Sequence, residues 1–266
     1  MADLIDKTAN YVLDLASPQR LNILFKLLSK DSTPTEIAKE LESTKQEVHR
    51  NFIRLEESGL IEKKNNGKYS TTTFGETVCT QVPTIVFFSQ NRKYFEEHTF
   101  IDIPYKFKIR CGQLAVSQHV KGISKVLEQW KTIYKNSKEY IYEILSEAPL
   151  DLIEPLVKQI KKGIKFQYIF SESTVVPKGR KDLLKKLGFN NLIEKGLIER
   201  KMAKNVQTVI VLNEKEACVL FPKNDGESDL TEMFYSDDPM FHEWCLDYFR
   251  FCWYGSDEFI ESKLKE

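Results

Sequence analysis

The chain has 266 residues, of which 41% are apolar, 12% aromatic and 29% charged, enough for one large domain or two ordinary ones with proper cores. Its 39 Lys/Arg balance 39 Asp/Glu, which excludes the global basic field of a protein that coats nucleic acid by charge alone. No run approaches the roughly 20 apolar residues needed to cross a bilayer, so no membrane partner is expected.

The N-terminal stretch "MADLIDKTANYVLDL" is acidic and amphipathic. It lacks the basic start and continuous apolar run of a signal peptide, and a cytoplasmic setting is expected. Leu4, Ile5, Val12 and Leu15 mark a helix over residues 4–15. A second helix begins at "SPQR", with Ser17 as N-cap and Pro18 at N1, where a missing N–H costs nothing. Its expected inward residues are Leu21, Leu24, Phe25 and Leu28. "TPTE" at Thr33 repeats the device and adds a capping box with Glu36, ahead of Ile37, Ala38 and Leu41. A third box, Ser43 with Gln46 or Thr44 with Glu47, opens another helix after a break of only Glu42 to Thr44. So short a turn between short helices is a helix-turn-helix unit.

This last helix places Val48, Phe52 and Leu55 at i, i+4 and i+7, a single apolar stripe. Gly59 closes it, and Asn66-Gly67 reads as a hairpin turn with positive φ at both central positions. Helix, helix, turn, helix and basic hairpin is the order of a winged helix. One stripe suffices to seat a recognition helix, and its N-terminal part must carry groups that reach base edges in a major groove about 12 Å wide. Thr44, Lys45, Gln46, His49 and Arg50 occupy that leading end. Gln46 suits adenine, and Arg50 or Lys45 suits guanine. Arg54 and the hairpin lysines Lys63, Lys64 and Lys68 suit phosphates. Duplex DNA is therefore the expected partner. Between Thr44 and Ser70 there are 6 Lys/Arg against 4 Glu, a weak excess that leaves open a winged helix serving as a protein–protein adaptor without DNA.

Residues 16–75 resemble the winged helix-turn-helix of arsenic-repressor-like and multidrug-resistance-regulator-like transcription factors. The motifs that carry this are "SPQRLNILFKLL", "TPTEIAKELESTKQEVHRNFIRLEESGLIEK" and "GKYSTTTFGE". Metal sensing is not implied, because the repressor's cysteine motif on the recognition helix is absent. In such regulators the flanking helices build a dimer. Here that role would fall to residues 4–15 and to a helical stretch running to about Glu97, with Val78, Val82, Ile85, Val86 and Phe88, kinked or interrupted at Pro83. Two half-sites raise both affinity and specificity, so a homodimer is expected.

"IDIPYKFKIRCGQL" at Ile101 reads as a connector. Strands then alternate with helices. A helix from Gly122 to Tyr134 precedes the strand "KEYIYEIL"; the helix "LIEPLVKQIKKG" precedes the strand "IKFQYIF". "VQTVIVLN" and "EACVLFP" form a hairpin around Asn213, and a last aromatic helix starts near Asp238-Pro239. This pattern predicts α/β layers. The basic segment from Lys178 to Lys186 fits an anionic metabolite, a DNA contact or a solvated face. "NLIEKGLIERK" at Asn191 mimics "RLEESGLIEKK" at Arg54, yet no helix-turn-helix precedes it, so no second winged helix is expected.

The whole layout resembles archaeal regulators in which a winged helix joins the middle domain of methanogenesis and filament-formation regulators. "FKIRCGQL", "EYIYEIL" and the Trp244…Phe249…Trp253 ending carry the likeness. It implies transcription regulation and an effector domain without a defined ligand, so that a small-molecule effector is expected but its binding residues are not. The second domain is also similar to the phospholipase D-like fold. Active members carry His, Lys and Asp where Val206, Thr208 and Asn213 stand here, and a valine cannot attack phosphorus. No GxGxxG, P-loop, HExxH or GxSxG motif occurs. The histidines, His49, His98, His119 and His242, are scattered.

Cys79, Cys111, Cys218, Cys245 and Cys252 form no CxxC pair and read as buried thiols. Cys245 and Cys252 lie two helical turns apart, about 10 Å, too far for a bridge. No catalytic residue, metal site or cofactor is expected. The resulting expectation is an α+β protein in three parts: residues 1–98 a winged helix-turn-helix domain with dimerisation helices, residues 99–120 a connector, and residues 121–266 an α/β effector domain resembling a degenerate phospholipase D-like fold.

Overall fold

A computed structural model describes residues 2–204 and 206–264; the side chains of residues 2–4, 7, 173 and 175 are outside the described set, and the inward position expected of Leu4 falls among them. The chain divides into two compact units, Met1–Pro83 and Thr84–Glu266.

The first unit opens with α1 (Ala2–Leu15), α2 (Pro18–Ser29), α3 (Pro34–Glu40) and α4 (Lys45–Glu57). A two-stranded antiparallel hairpin of β1 (Ile61–Lys63) and β2 (Tyr69–Thr71) follows, then α5 (Thr73–Cys79). The caps are as the sequence predicts. Ser17 accepts from the Arg20 N–H, and Thr33 and Glu36 exchange both capping-box bonds. Of the two candidate boxes before α4, Thr44 is the N-cap, accepting from the Glu47 N–H at 3.3 Å.

The turn between α3 and α4 bends at Glu42, whose φ of 52° is the one positive value outside glycine among the described residues. The hairpin departs from the expected two-residue turn. Lys64 N–H donates to the Lys68 carbonyl at 2.7 Å, enclosing three loop residues, and only Gly67, not Asn66, has positive φ. That is the geometry of a three-residue loop with glycine in the left-handed region.

Val48, Phe52 and Leu55 are fully buried with Ile23, Leu24, Leu27 and Ile37. Here α2 differs from expectation, because Phe25 and Leu28 point outward while Ile23 and Leu27 point in. Gly75 lets α5 approach the hairpin: a Cβ there would stand 2.0 Å from the Leu60 carbonyl oxygen.

The second unit begins earlier than the boundary expected at residue 98. The helical stretch is broken into α6 (Val82–Gln90) and α7 (Arg92–Glu97), with Pro83 in the first turn of α6, where it removes no helical bond. Phe87 and Tyr94, in the stretch running to Glu97, are buried with Phe221 and Phe234 of the second unit. The expected connector is also core. It holds α8 (Tyr105–Lys108) and buries Ile103, Phe107, Cys111 and Leu114. Aromatic burial decides both corrections, since each such ring removes on the order of 150–250 Å² from water.

The remaining elements are β3 (Gln118–Lys121), α9 (Ile123–Asn136), β4 (Tyr140–Glu147), α10 (Leu150–Ile160), β5 (Lys165–Val175), α11 (Arg180–Lys186), α12 (Phe189–Glu194), β6 (Ile198–Ala203), β7 (Val209–Leu212), β8 (Ala217–Leu220), β9 (Glu232–Ser236), α13 (Pro239–Tyr254) and β10 (Asp257–Glu258). Their strands form one mixed sheet in the order β10-β6-β5-β4-β7-β8-β9-β3. Only β4–β5 and β5–β6 are parallel. Helices α9, α10 and α12 cover one face around Trp130, Leu156 and Phe189, and α6, α7 and α13 cover the other around Phe87, Trp244 and Tyr248. Asn191 lies in α12, which follows α11 after a two-residue break, and the segment beyond it forms β6 of this sheet. All five cysteines are buried and unbridged. No helix among the described residues is long and apolar enough to cross a membrane.

Candidate nucleic-acid interface

The interface is built on α4. Its buried stripe fixes the helix to α2 and α3, so the opposite face is presented by default. Lys45, Gln46, His49 and Arg50 lie on that face, all exposed. None has a side-chain hydrogen bond or ion pair among the described residues. Thr44 is exposed too, but its oxygen is engaged as the N-cap, which leaves only the hydroxyl hydrogen to donate.

Arg54 is placed differently from the phosphate contact expected of it. Its Nε donates to Asp14 Oδ1 at 2.5 Å, and Ser58 donates its hydroxyl to Asp14 Oδ2. Burial pushes the Asp14 carboxyl up, but the Ser58 hydroxyl and the Arg54 guanidinium outweigh it and hold the group below the ordinary aspartate value. Arg20 adds a second tie. It donates to the carbonyls of Asp14 at 2.5 Å and Leu13 at 2.9 Å, closing the C-terminus of α1, a favourable place for a cation.

The hairpin lysines are also partly engaged. Lys63 lies 5.9 Å from the Tyr69 ring centroid, and Lys64 is 3.3 Å from Glu62. Both remain exposed, and Lys68 is half-buried. Lys68 contributes to holding Glu36 low, although the Thr33 N–H and hydroxyl are the larger causes. The structure therefore gathers Lys45, Gln46, His49 and Arg50 on one open helical face, keeps Lys63 and Lys64 on the adjoining hairpin, and binds Arg54 into the scaffold.

Sequence reasoning missed Asn51, Gln19 and Arg20, which join α4 to the start of α2. Asn51 donates to Gln19, and Arg20 reaches Asn51 Oδ1 at 3.5 Å. No sequence signal marks them: Asn51 is one more polar residue off the apolar stripe, and its half-burial is visible only in the structure.

The positions aligned with the phospholipase D motif have structural duties. Thr208 donates through its N–H and its hydroxyl to Asp102, each at 2.8 Å. Asn213 shapes the β7–β8 turn, accepting from Lys215 and Glu216 N–H groups and donating to the Ile133 carbonyl. His98 is tied to Asp229 at 3.0 Å, and His242 to the Asn213 carbonyl at 2.7 Å.

Residues 10–87 match the family of the HVO_A0261 N-terminal domain. The match covers nearly the whole of the first unit and stops near its boundary. No curated protein matches the chain. Among solved structures, the archaeal chromatin protein TrmBL2, described as showing a novel mode of DNA binding, is similar at 12% identity over 86% of this chain and 88% of that one, with a TM-score of 0.43. Nuc, a phospholipase D family member from Salmonella typhimurium, is similar at 14% identity over 54% of this chain and 97% of its own, with a TM-score of 0.41. NucT from Helicobacter pylori is similar at 13% identity over 54% and 98%, with a TM-score of 0.42. At these identities and TM-scores the likenesses carry no functional argument.

Proposed function

We propose that the chain is a DNA-binding transcription regulator whose first unit is a winged helix-turn-helix of the arsenic-repressor and multidrug-regulator type. One observation carries this: four unpartnered donors, on Lys45, Gln46, His49 and Arg50, crowd the leading half of a short helix whose other face is completely buried. In this reading α4 enters the major groove. Arg50 or Lys45 reads guanine and Gln46 reads adenine. Lys63 and Lys64 meet phosphates from the hairpin.

The chain acts as a homodimer. Ile5, Val12 and Leu13 of α1 are 61%, 58% and 57% exposed, and an apolar helix face in water favours a partner. The second unit is a regulatory domain that takes an effector, and it is not a phosphodiesterase. Val206 has no nucleophilic atom, and the Thr208 hydroxyl is engaged with Asp102.

Selection of bound duplexes from a random DNA pool tests the reading. A recurrent palindromic site supports both groove recognition and the dimer. Recovery of no enriched sequence by folded protein rejects specific recognition.

A further inference from the structure

Helix α13 has two unlike faces. Trp244, Cys245, Tyr248 and Phe249 are buried against the sheet. Met240, Glu243, Asp247, Arg250 and Tyr254 follow one another at spacings of three and four residues, which sets them in one stripe on the outer side. Met240 is 51% exposed and Tyr254 83%. Glu243 and Arg250 are exposed as well. Phe251 borders the stripe, half covered by Lys106, whose ammonium stands 4.0 Å from the ring centroid. An apolar side chain held in water at each end of a helix face favours a partner.

The charges of the stripe say which partner. Asp247, at its centre, already has a cation: Arg110 Nη1 stands 2.8 Å from its Oδ2. Glu243 and Arg250 form no ion pair or side-chain hydrogen bond among the described residues. Seven residues of helix hold them about 10 Å apart along the axis, so they do not satisfy one another within one chain.

A second copy laid antiparallel, with a two-fold axis passing at Asp247, pairs them. Met240 and Tyr254 stand seven residues before and after the axis, so Met240 of one copy meets Tyr254 of the other. Glu243 stands four residues before it and Arg250 three after, so Glu243 of one copy comes to Arg250 of the other. Symmetry makes each contact twice. The two Asp247 carboxylates approach at the axis, where the two Arg110 cations offset their repulsion. A parallel copy would instead set Glu243 against Glu243 and Arg250 against Arg250. We propose that the outer face of α13 is a self-pairing surface on which two copies of the chain join antiparallel. This goes beyond the homodimer contact proposed at α1, and it is tested at its own residues and without DNA, so its failure leaves α1 pairing and DNA reading by α4 untouched.

The experiment has two arms, both on the full chain. Asp247→Cys puts a thiol on the axis, and the native cysteines are buried. Under mild oxidation this variant is expected to form a disulfide-linked dimer, whereas Glu128→Cys, exposed on α9 across the sheet, does not. Sedimentation equilibrium then compares Glu243→Arg, Arg250→Glu and the double swap. Each single reversal places like charges together twice and weakens self-association about tenfold, and the double swap restores it. Thermal melts show whether each variant is folded, and the charge swaps carry the test should Asp247→Cys not fold. Absence of trapping at residue 247 in folded protein, equal trapping at residue 128, single reversals without effect, or a double swap as weak as the single reversals overturns the proposal.

Discussion

Asp14 and Arg54, 40 positions apart in the chain, meet with Oδ1 and Nε 2.5 Å apart. This ties α1 to α4. Because the folded Asp14 carboxyl titrates below its ordinary value of 3.8, the unfolded chain takes up the proton first as pH falls. The stabilisation is therefore full above the unfolded value and is lost as pH falls through the lower folded one. Asp14→Asn should lower stability at neutral pH by about 1 kcal/mol, since Arg54 is half-exposed and screened. Urea denaturation at several pH values checks this, with the difference from wild type disappearing in strong acid.

Glu143 has the opposite sign. Burial pushes its carboxyl from 4.5 to about 7, against the hydrogen bonds from Tyr134 and Trp130. The folded chain holds the proton more tightly, so its contribution is fully present below pH 4.5 and is lost as pH rises towards 7. The shift corresponds to about 3 kcal/mol across that window. Glu143→Gln keeps an acceptor for both donors and should flatten the stability–pH profile there, as denaturant titrations between pH 4 and 8 would measure.

Glu42 stands at φ 52° in the turn before α4. Left-handed backbone costs a side-chain-bearing residue about 1–2 kcal/mol, partly offset by the greater flexibility of glycine in the unfolded chain. Glu42→Gly is therefore expected to stabilise the first unit by about 0.5–1 kcal/mol. A raised melting temperature checks this, and an unchanged or lower one contradicts it.

Gly75 has no room for a side chain, because the Leu60 carbonyl oxygen occupies the position of its Cβ. Gly75→Ala must push α5 off the hairpin and should destabilise by about 2 kcal/mol, despite the better helix propensity of alanine. Equilibrium denaturation measures the loss.

The parts of this fold that were legible in the sequence are local. The caps at Ser17, Thr33 and Thr44, and the stripe of Val48, Phe52 and Leu55, each depend on residues within two turns of one another. In α2 the same logic misplaced Phe25 and Leu28. Residues 21, 23, 24, 25, 27 and 28 are all apolar, so periodicity does not choose a face and packing with α3 and α4 does. The aromatic run from Phe87 to Phe95 could serve either unit by pattern alone; partners more than a hundred residues later, such as Phe221 and Phe234, decide it. Side-chain direction was likewise unreadable in the basic segment, where Arg180 turns inward and its neighbouring lysines do not. At the candidate interface, the exposed donors of α4 could be read from spacing, but Arg54 could not be recognised as a scaffold residue without knowing where Asp14 lies.

In the proposed function the open face of α4 reads duplex DNA while the hairpin grips its backbone. The most direct measurement is duplex affinity by fluorescence anisotropy, as a function of salt, for wild type, Arg50→Ala and Lys63→Ala/Lys64→Ala. Arg50→Ala is expected to cost about 1–3 kcal/mol on the selected site and to narrow its advantage over random duplex. The double lysine variant is expected to weaken all duplexes alike and to reduce the salt slope by about 2. Failure of folded wild-type protein to bind any duplex at low salt, or binding indifferent to both changes, would rule out DNA reading by α4.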